Sequence, residues 1–148
     1  MLSPGFTRVL LVFGCAGTLF AANPFVGTWR LEPARSSGTI PDDETVIIQE
    51  RGRTLSVEVR VITAKPLLIR YSAPAIGGAG KVEKGPYDGV SLRRIDSHLI
   101  ETTYLSGGKE IRSTRAVLSK DGRTMTSTGK AMGTDEKWIM VFRKEKTQ

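Results

Sequence analysis

The sequence predicts an all-β protein, an antiparallel up-and-down β-barrel of about eight to ten strands. Apolar and polar residues alternate with a period of two in segment after segment between Phe25 and Lys144, the pattern of half-buried strands. Short turn signals separate the segments: Arg51-Gly52-Arg53, Ser106-Gly107-Gly108, Lys120-Asp121-Gly122 and Gly133-Thr134-Asp135. Beyond the N-terminal leader no convincing helical pattern interrupts them. A meander of hairpins leaves an unpaired edge at each end, and closing the sheet on itself removes both.

Residues 1–22 read as a signal peptide. Arg8 supplies the positive charge, residues 9–20 are an apolar run short for a membrane span, and Ala21-Ala22 are small residues at a cleavage point. Cys15 is the one cysteine in the chain. With Val12-Phe13-Gly14 before it, it loosely matches a lipobox, so a lipid-anchored form stands beside the free periplasmic and secreted forms. Cleavage near Ala22 leaves one mature domain, residues 23–148, with no thiol for a disulfide or for nucleophilic chemistry. The formal charge of +7, reduced by one when Arg8 leaves with the leader, favours anionic surfaces such as those of a cell envelope. It equally serves solubility alone.

The first mature strand begins after Asn23-Pro24, because proline cannot sit inside a central strand. Residues 25–31 put Phe25, Gly27, Trp29 and Leu31 on one face, and Gly27 leaves room there for the indole or a neighbouring backbone. Residues 32–43, with Pro33, Gly38 and Pro41, form a loop too short for paired capping helices. Residues 44–50 and 54–63 are a hairpin, with Leu55, Val57, Val59 and Val61 sharing a face in the cleanest alternation of the chain. Residues 67–72 follow. Residues 73–86 contain Pro74, Gly77, Gly78, Gly80, Gly85 and Pro86 and are expected to be an irregular mouth or lid. Residues 90–96, 98–105, 109–119, 124–132 and 136–144 complete about nine strands.

Gly27-Thr28-Trp29-Arg30-Leu31 with Ala34-Arg35-Ser36, then Tyr87-Asp88-Gly89, Val90-Ser91-Leu92-Arg93-Arg94-Ile95-Asp96, and Ser119-Lys120-Asp121-Gly122-Arg123-Thr124-Met125-Thr126 resemble a family of small secreted bacterial lipocalin-like proteins within the calycin superfamily. The resemblance spans nearly all of residues 23–148. It implies a calycin-type barrel and no established activity. It also implies that a late arginine, here Arg143, packs over the tryptophan of the first strand, Trp29. The middle Thr-Asp-Tyr motif of lipocalins is absent.

Catalytic and metal chemistry find little support. His98 is the single histidine, and Ser97 and Asp96 beside it point to opposite faces of an extended chain. No spacing of His, Cys and carboxylates suits a metal, and no cofactor is implied. Asp42, Asp43 and Glu44 read as a solvated acidic cluster before a strand. The glycines at 77, 78 and 80 lack the lysine and helix start of a phosphate loop. Basic residues are scattered, without a recognition helix or stacking aromatics, which excludes a nucleic-acid reader.

An interior site is the remaining possibility. Tyr71, Tyr104, Met125, Trp138 and Met140 are the candidate ligand-binding residues, with Phe142 on the face of Trp138 and Met140. Arg94, on the face of Val90 and Leu92, and Arg115, with Ile111 and Val117, are candidates to meet a carboxylate inside. The expectation is an exported, non-enzymatic barrel that binds a small hydrophobic or amphipathic molecule. The alternative is an envelope interaction or inhibitor module whose barrel is filled.

Overall fold

Each alternating segment becomes a strand of a single antiparallel sheet. The computed structural model describes residues 22–148; the leader and Cys15 lie outside the described residues. In chain order the elements are β1 (Gly27–Leu31), a 3-10 turn (Pro33–Arg35), β2 (Ser37–Gly38), β3 (Asp43–Arg51), β4 (Thr54–Ile62), β5 (Leu67–Pro74), β6 (Gly78–Ala79) and β7 (Lys81–Lys84). Then come β8 (Gly89–Asp96), β9 (Leu99–Ser106), β10 (Lys109–Leu118), β11 (Thr124–Ala131) and β12 (Lys137–Lys144). The nine expected strands are all present, and β2, β6 and β7 are short additions. The sheet runs β6-β8-β9-β10-β11-β12-β1-β3-β4-β5-β7, with β2 added to β12. The fold is a nearly closed, up-and-down antiparallel β-barrel, as expected.

Closure depends on the Gly-rich stretch, which is not the irregular loop that its composition suggests. β7 turns back to pair with β5, whereas β6 pairs with β8, so one short segment stitches the two ends of the sheet. Gly80 is the crossing point. Its N–H donates to the Val90 carbonyl at 2.8 Å, and a Cβ there would collide with the Ser72 carbonyl and the Val90 side chain. Glycine lets two backbones approach where any other residue would hold them apart.

One end of the barrel is plugged by the turn before β1. The Asn23 side chain accepts from the Phe25 N–H at 3.1 Å, and the Trp29 indole N–H donates to the Phe25 carbonyl at 2.9 Å. Phe25 and Trp29 are among the most deeply buried large side chains. The Arg51–Thr54 hairpin and the β10–β11 turn lie at this same end. The 3-10 turn, β2 and the β4–β5 connection lie at the other.

The cation over Trp29 is not Arg143. The β1–β12 register pairs Trp29 with Lys144 and Arg30 with Arg143, and paired residues share a face. Arg143 therefore points outward with Arg30 and reaches Glu32 at 3.6 Å. Lys144 lays its ammonium 5.1 Å from the Trp29 ring and donates to the Pro24 carbonyl at 3.0 Å. Partial burial lowers its pKa from the ordinary lysine value. Its stem also fills the space above Gly27, where a Cβ would sit 2.5 Å from Lys144 Cε. Gly27 thus makes room for the lysine rather than the indole.

Lys144→Met is expected to destabilise the barrel by about 1–2 kcal/mol through loss of the cation–π contact and the Pro24 bond, and Arg143→Met by less than about 0.5 kcal/mol. Urea unfolding of the two variants side by side checks the assignment.

Candidate functional site

The interior is not packed solid. A cavity of about 300 Å³ lies inside the barrel, the volume of about ten liquid waters at about 30 Å³ each. Phe25, Leu55, Met125 and Phe142 line it towards the plugged end, and Val46, Ile48, Val57, Val59, Ile69, Leu92, Ile100 and Met140 form the apolar middle. Thr39, Ile40, Pro41, Thr63 and Leu67 line it at the opposite end. There the segment after β2 crosses the opening, with the Thr39 N–H on the Lys137 carbonyl at 2.9 Å and the Asp42 N–H on the Ile62 carbonyl at 3.0 Å.

Four of the five candidate residues line this cavity: Tyr71, Tyr104, Met125 and Met140. The phenols form a cluster, with Tyr71 edge-on to Tyr104 at 5.9 Å and Tyr87 tilted against Tyr104 at 4.5 Å. Burial raises the pKa of both Tyr71 and Tyr104 from the ordinary phenol value. Both are neutral hydroxyls, able to donate and to accept hydrogen bonds.

Trp138 is buried but lies outside the cavity lining. Its indole lies across Gly129, its partner on β11, where a Cβ would strike the ring. The ring is covered by the Arg112 guanidinium, 4.0 Å from its centroid. Trp138 is therefore a platform in the wall behind an arginine that reaches the cavity.

That arginine is neither of those expected. A bulge between Glu110 and Arg112 shifts the register of β10 against β9. Arg112, Thr114 and Ala116 line the cavity, whereas Arg115 faces out to Glu101 at 3.6 Å and Val117 is exposed. Counting back in twos from buried Leu118 finds this face; counting forward from Ile111 misses it. Arg94 lies near the plugged end beside another bulge, donating to the Asp96 carbonyl at 3.4 Å, away from the cavity lining.

The acidic cluster is divided rather than solvated as a whole. Asp43 pairs with Arg30 at 3.4 Å outside. Glu44 continues inward the alternation of Val46 and Ile48, is 8% exposed and lines the cavity. The ion pairs of the described residues all lie elsewhere. Burial pushes the Glu44 carboxyl up to about 7, with Arg112 opposing and Asp43 adding to the rise. Glu44 and Arg112 are the two charged residues of the lining. Both sit near the strapped end, Glu44 at the start of β3 and Arg112 early in β10. Thr102, Thr114 and Ser127 add hydroxyls lower down.

The Asp96-Ser97-His98 turn has no triad geometry. Ser97 Oγ is 2.7 Å from His98 Nδ1, but Asp96 accepts from the His98 backbone N–H rather than from the ring.

Comparison with protein-family models and with curated protein sequences gives no match. Comparison with solved structures finds similarity to a fatty acid binding protein of Schistosoma mansoni in complex with arachidonic acid. The TM-score is 0.53 at 17% sequence identity, over 83% of this chain and 97% of that one. At this identity the likeness establishes the fold.

The folded protein holds the Glu44 proton more tightly than the unfolded chain does, so the stability this proton supplies is intact below about pH 4.5 and is lost as the pH rises through about 7. Glu44→Gln, which keeps shape and removes the charge, is expected to raise stability by up to about 3 kcal/mol at about pH 8 and to change little at about pH 4. Denaturant midpoints at the two pH values measure the difference.

Proposed function

We propose that this barrel binds a small hydrophobic or amphipathic molecule, one lipid-like chain with one polar head, without transforming it. The observation that carries this reading is the polarity gradient of the cavity: apolar walls and floor, with Glu44 and Arg112 together near the strapped end. A chain entering tail first buries apolar surface against Phe25, Leu55 and Phe142, at about 25 cal/mol per Å² before the costs of binding. Its head stays with the charged pair and the phenols.

A cavity of about 300 Å³ is at the small end of ligand sites, so it suits one chain rather than the two of a phospholipid. The fatty acid binding protein of the same fold, in complex with arachidonic acid, supports a lipophilic occupant. The role proposed is a non-enzymatic one, binding without chemistry on the occupant. The same reading has the protein exported, on the leader pattern of residues 1–22, where its positive charge suits an anionic envelope surface.

Native mass spectrometry of the purified protein with fatty acids and fatty alcohols of graded chain length tests the proposal. Saturable one-to-one complexes are expected. Ser127→Phe, which puts a ring into the cavity, should weaken uptake by about tenfold or more while the thermal unfolding transition persists. A folded wild-type barrel that ignores every lipophile would sink the reading.

A further inference from the structure

The charge of the cavity depends on one proton. With Glu44 ionised, its charge cancels that of Arg112. A carboxylate entering then leaves the guanidinium shared between two buried anions, with one negative charge in excess. With Glu44 protonated, Arg112 is the sole charge and an entering carboxylate neutralises it. Burying an unpaired charge is costly, and a site relieves that cost by taking up a proton. We propose that the barrel takes up an anionic single-chain lipophile together with one proton, held on Glu44, so that it loads at mildly acidic pH and releases as the pH rises. This rests on the reading of the cavity as a lipophile site and adds the control of its occupancy.

Geometry supports the coupling. Glu44 and Arg112 line one cavity, and no other charged side chain lines it. Arg112 stacks on the Trp138 ring at 4.0 Å, a cation–π contact that favours its place at the cavity wall. The other groups packed around Glu44 do not duplicate its role. Asp43, next to it on β3, is paired with Arg30 outside. β4 sets Val61 opposite it, β1 turns Trp29 and Leu31 inward, and β12 turns Met140 and Phe142 inward. From the strap, Thr39, Ile40 and Pro41 are uncharged and Asp42 is exposed. The phenols of Tyr71 on β5 and Tyr104 on β9 are neutral, since burial raises their pKa, and Tyr87 before β8 packs on Tyr104. Glu44 titrates near 7 because it is buried, which puts the exchange in an accessible range. The proton comes from water through the open end and rests as an O–H on the Glu44 carboxyl. No bond of the ligand is made or broken.

Calorimetric titration of the protein with decanoate and with decanol, in buffers of different ionisation enthalpy, counts the protons directly. At about pH 8, decanoate is expected to carry in about one proton and decanol none. Decanoate affinity should fall about 30-fold between about pH 6 and about pH 8.5, while decanol stays level. Glu44→Gln should hold decanoate at its acid-pH affinity across the range, and the wild-type proton count stands even if that variant folds poorly. Decanoate binding with no proton uptake and a flat pH profile would overturn the coupling and leave the lipophile reading intact. Failure of both ligands to bind would overturn both.

Discussion

The cavity inside the barrel has a floor built from the residues before β1. Its seal is the hydrogen bond from the Trp29 indole to the Phe25 carbonyl. It folds the residues before β1 under the barrel and holds Phe25 against the floor. The same indole faces Lys144, whose ammonium reaches the Pro24 carbonyl. The last strand is thereby tied to the plug, and the pairing of the first strand with the last is fixed in register. If this knot loosened, the floor would open, and the apolar walls would collapse inward or take in water. The buried side chains around the cavity are framed by hydrogen-bonded ladders.

The fold was legible in the sequence wherever the alternation was unbroken. Leu55, Val57 and Val59 of β4 are buried as their spacing dictates, while Ser56 and Arg60 face out. Legibility failed where apolar residues stood on both faces of a strand, or where glycines pointed to a loop. In β10 the inward face is that of Arg112, Thr114 and Ala116 and not that of Ile111 and Arg115; Ile111 and Val117 on one face and Ala116 and Leu118 on the other leave the choice to the pairing of the strands. In the Gly-rich stretch, composition pointed to a loop, but the glycines serve the close approach of β6 and β7 to opposite ends of the sheet. Local composition does not reveal that a sheet is about to close on itself.

The candidate site divided along the same line. Tyr71, Tyr104, Met125 and Met140 reach the cavity because they are large apolar or aromatic residues at inward positions. Glu44 was missed because three acidic residues in a row look like a solvated loop, although counting back from Val46 puts the third of them inward. Trp138 is buried but lies behind the cavity lining. Gly129 opposite it creates a slot in the wall that swallows the ring, a relation between two strands that only their pairing exposes. The arginine expected over Trp29 was misplaced by one residue, and in a strand one residue is the difference between the two faces.

The position of the two buried charges bears on how an occupant would lie. If Glu44 and Arg112 sat at the floor, a head group would have to shed its water and travel the length of an apolar tube to meet them. Near the strapped end, they would meet a head that keeps part of its hydration, with the proposed tail against the region lined by Phe25, Leu55 and Phe142. The desolvation cost then falls mainly on Glu44 and Arg112, which the folded protein has already removed from water, one by raising its pKa and the other by stacking on an indole. A site prepared in this way gives up some stability of the empty barrel. In return, the polar groups are in place before a ligand arrives, which is the physical meaning of preorganisation. The strap over the opening is held by main-chain bonds to β12 and β4 rather than by a packed helix pair, and the charged end of the cavity lies beneath it.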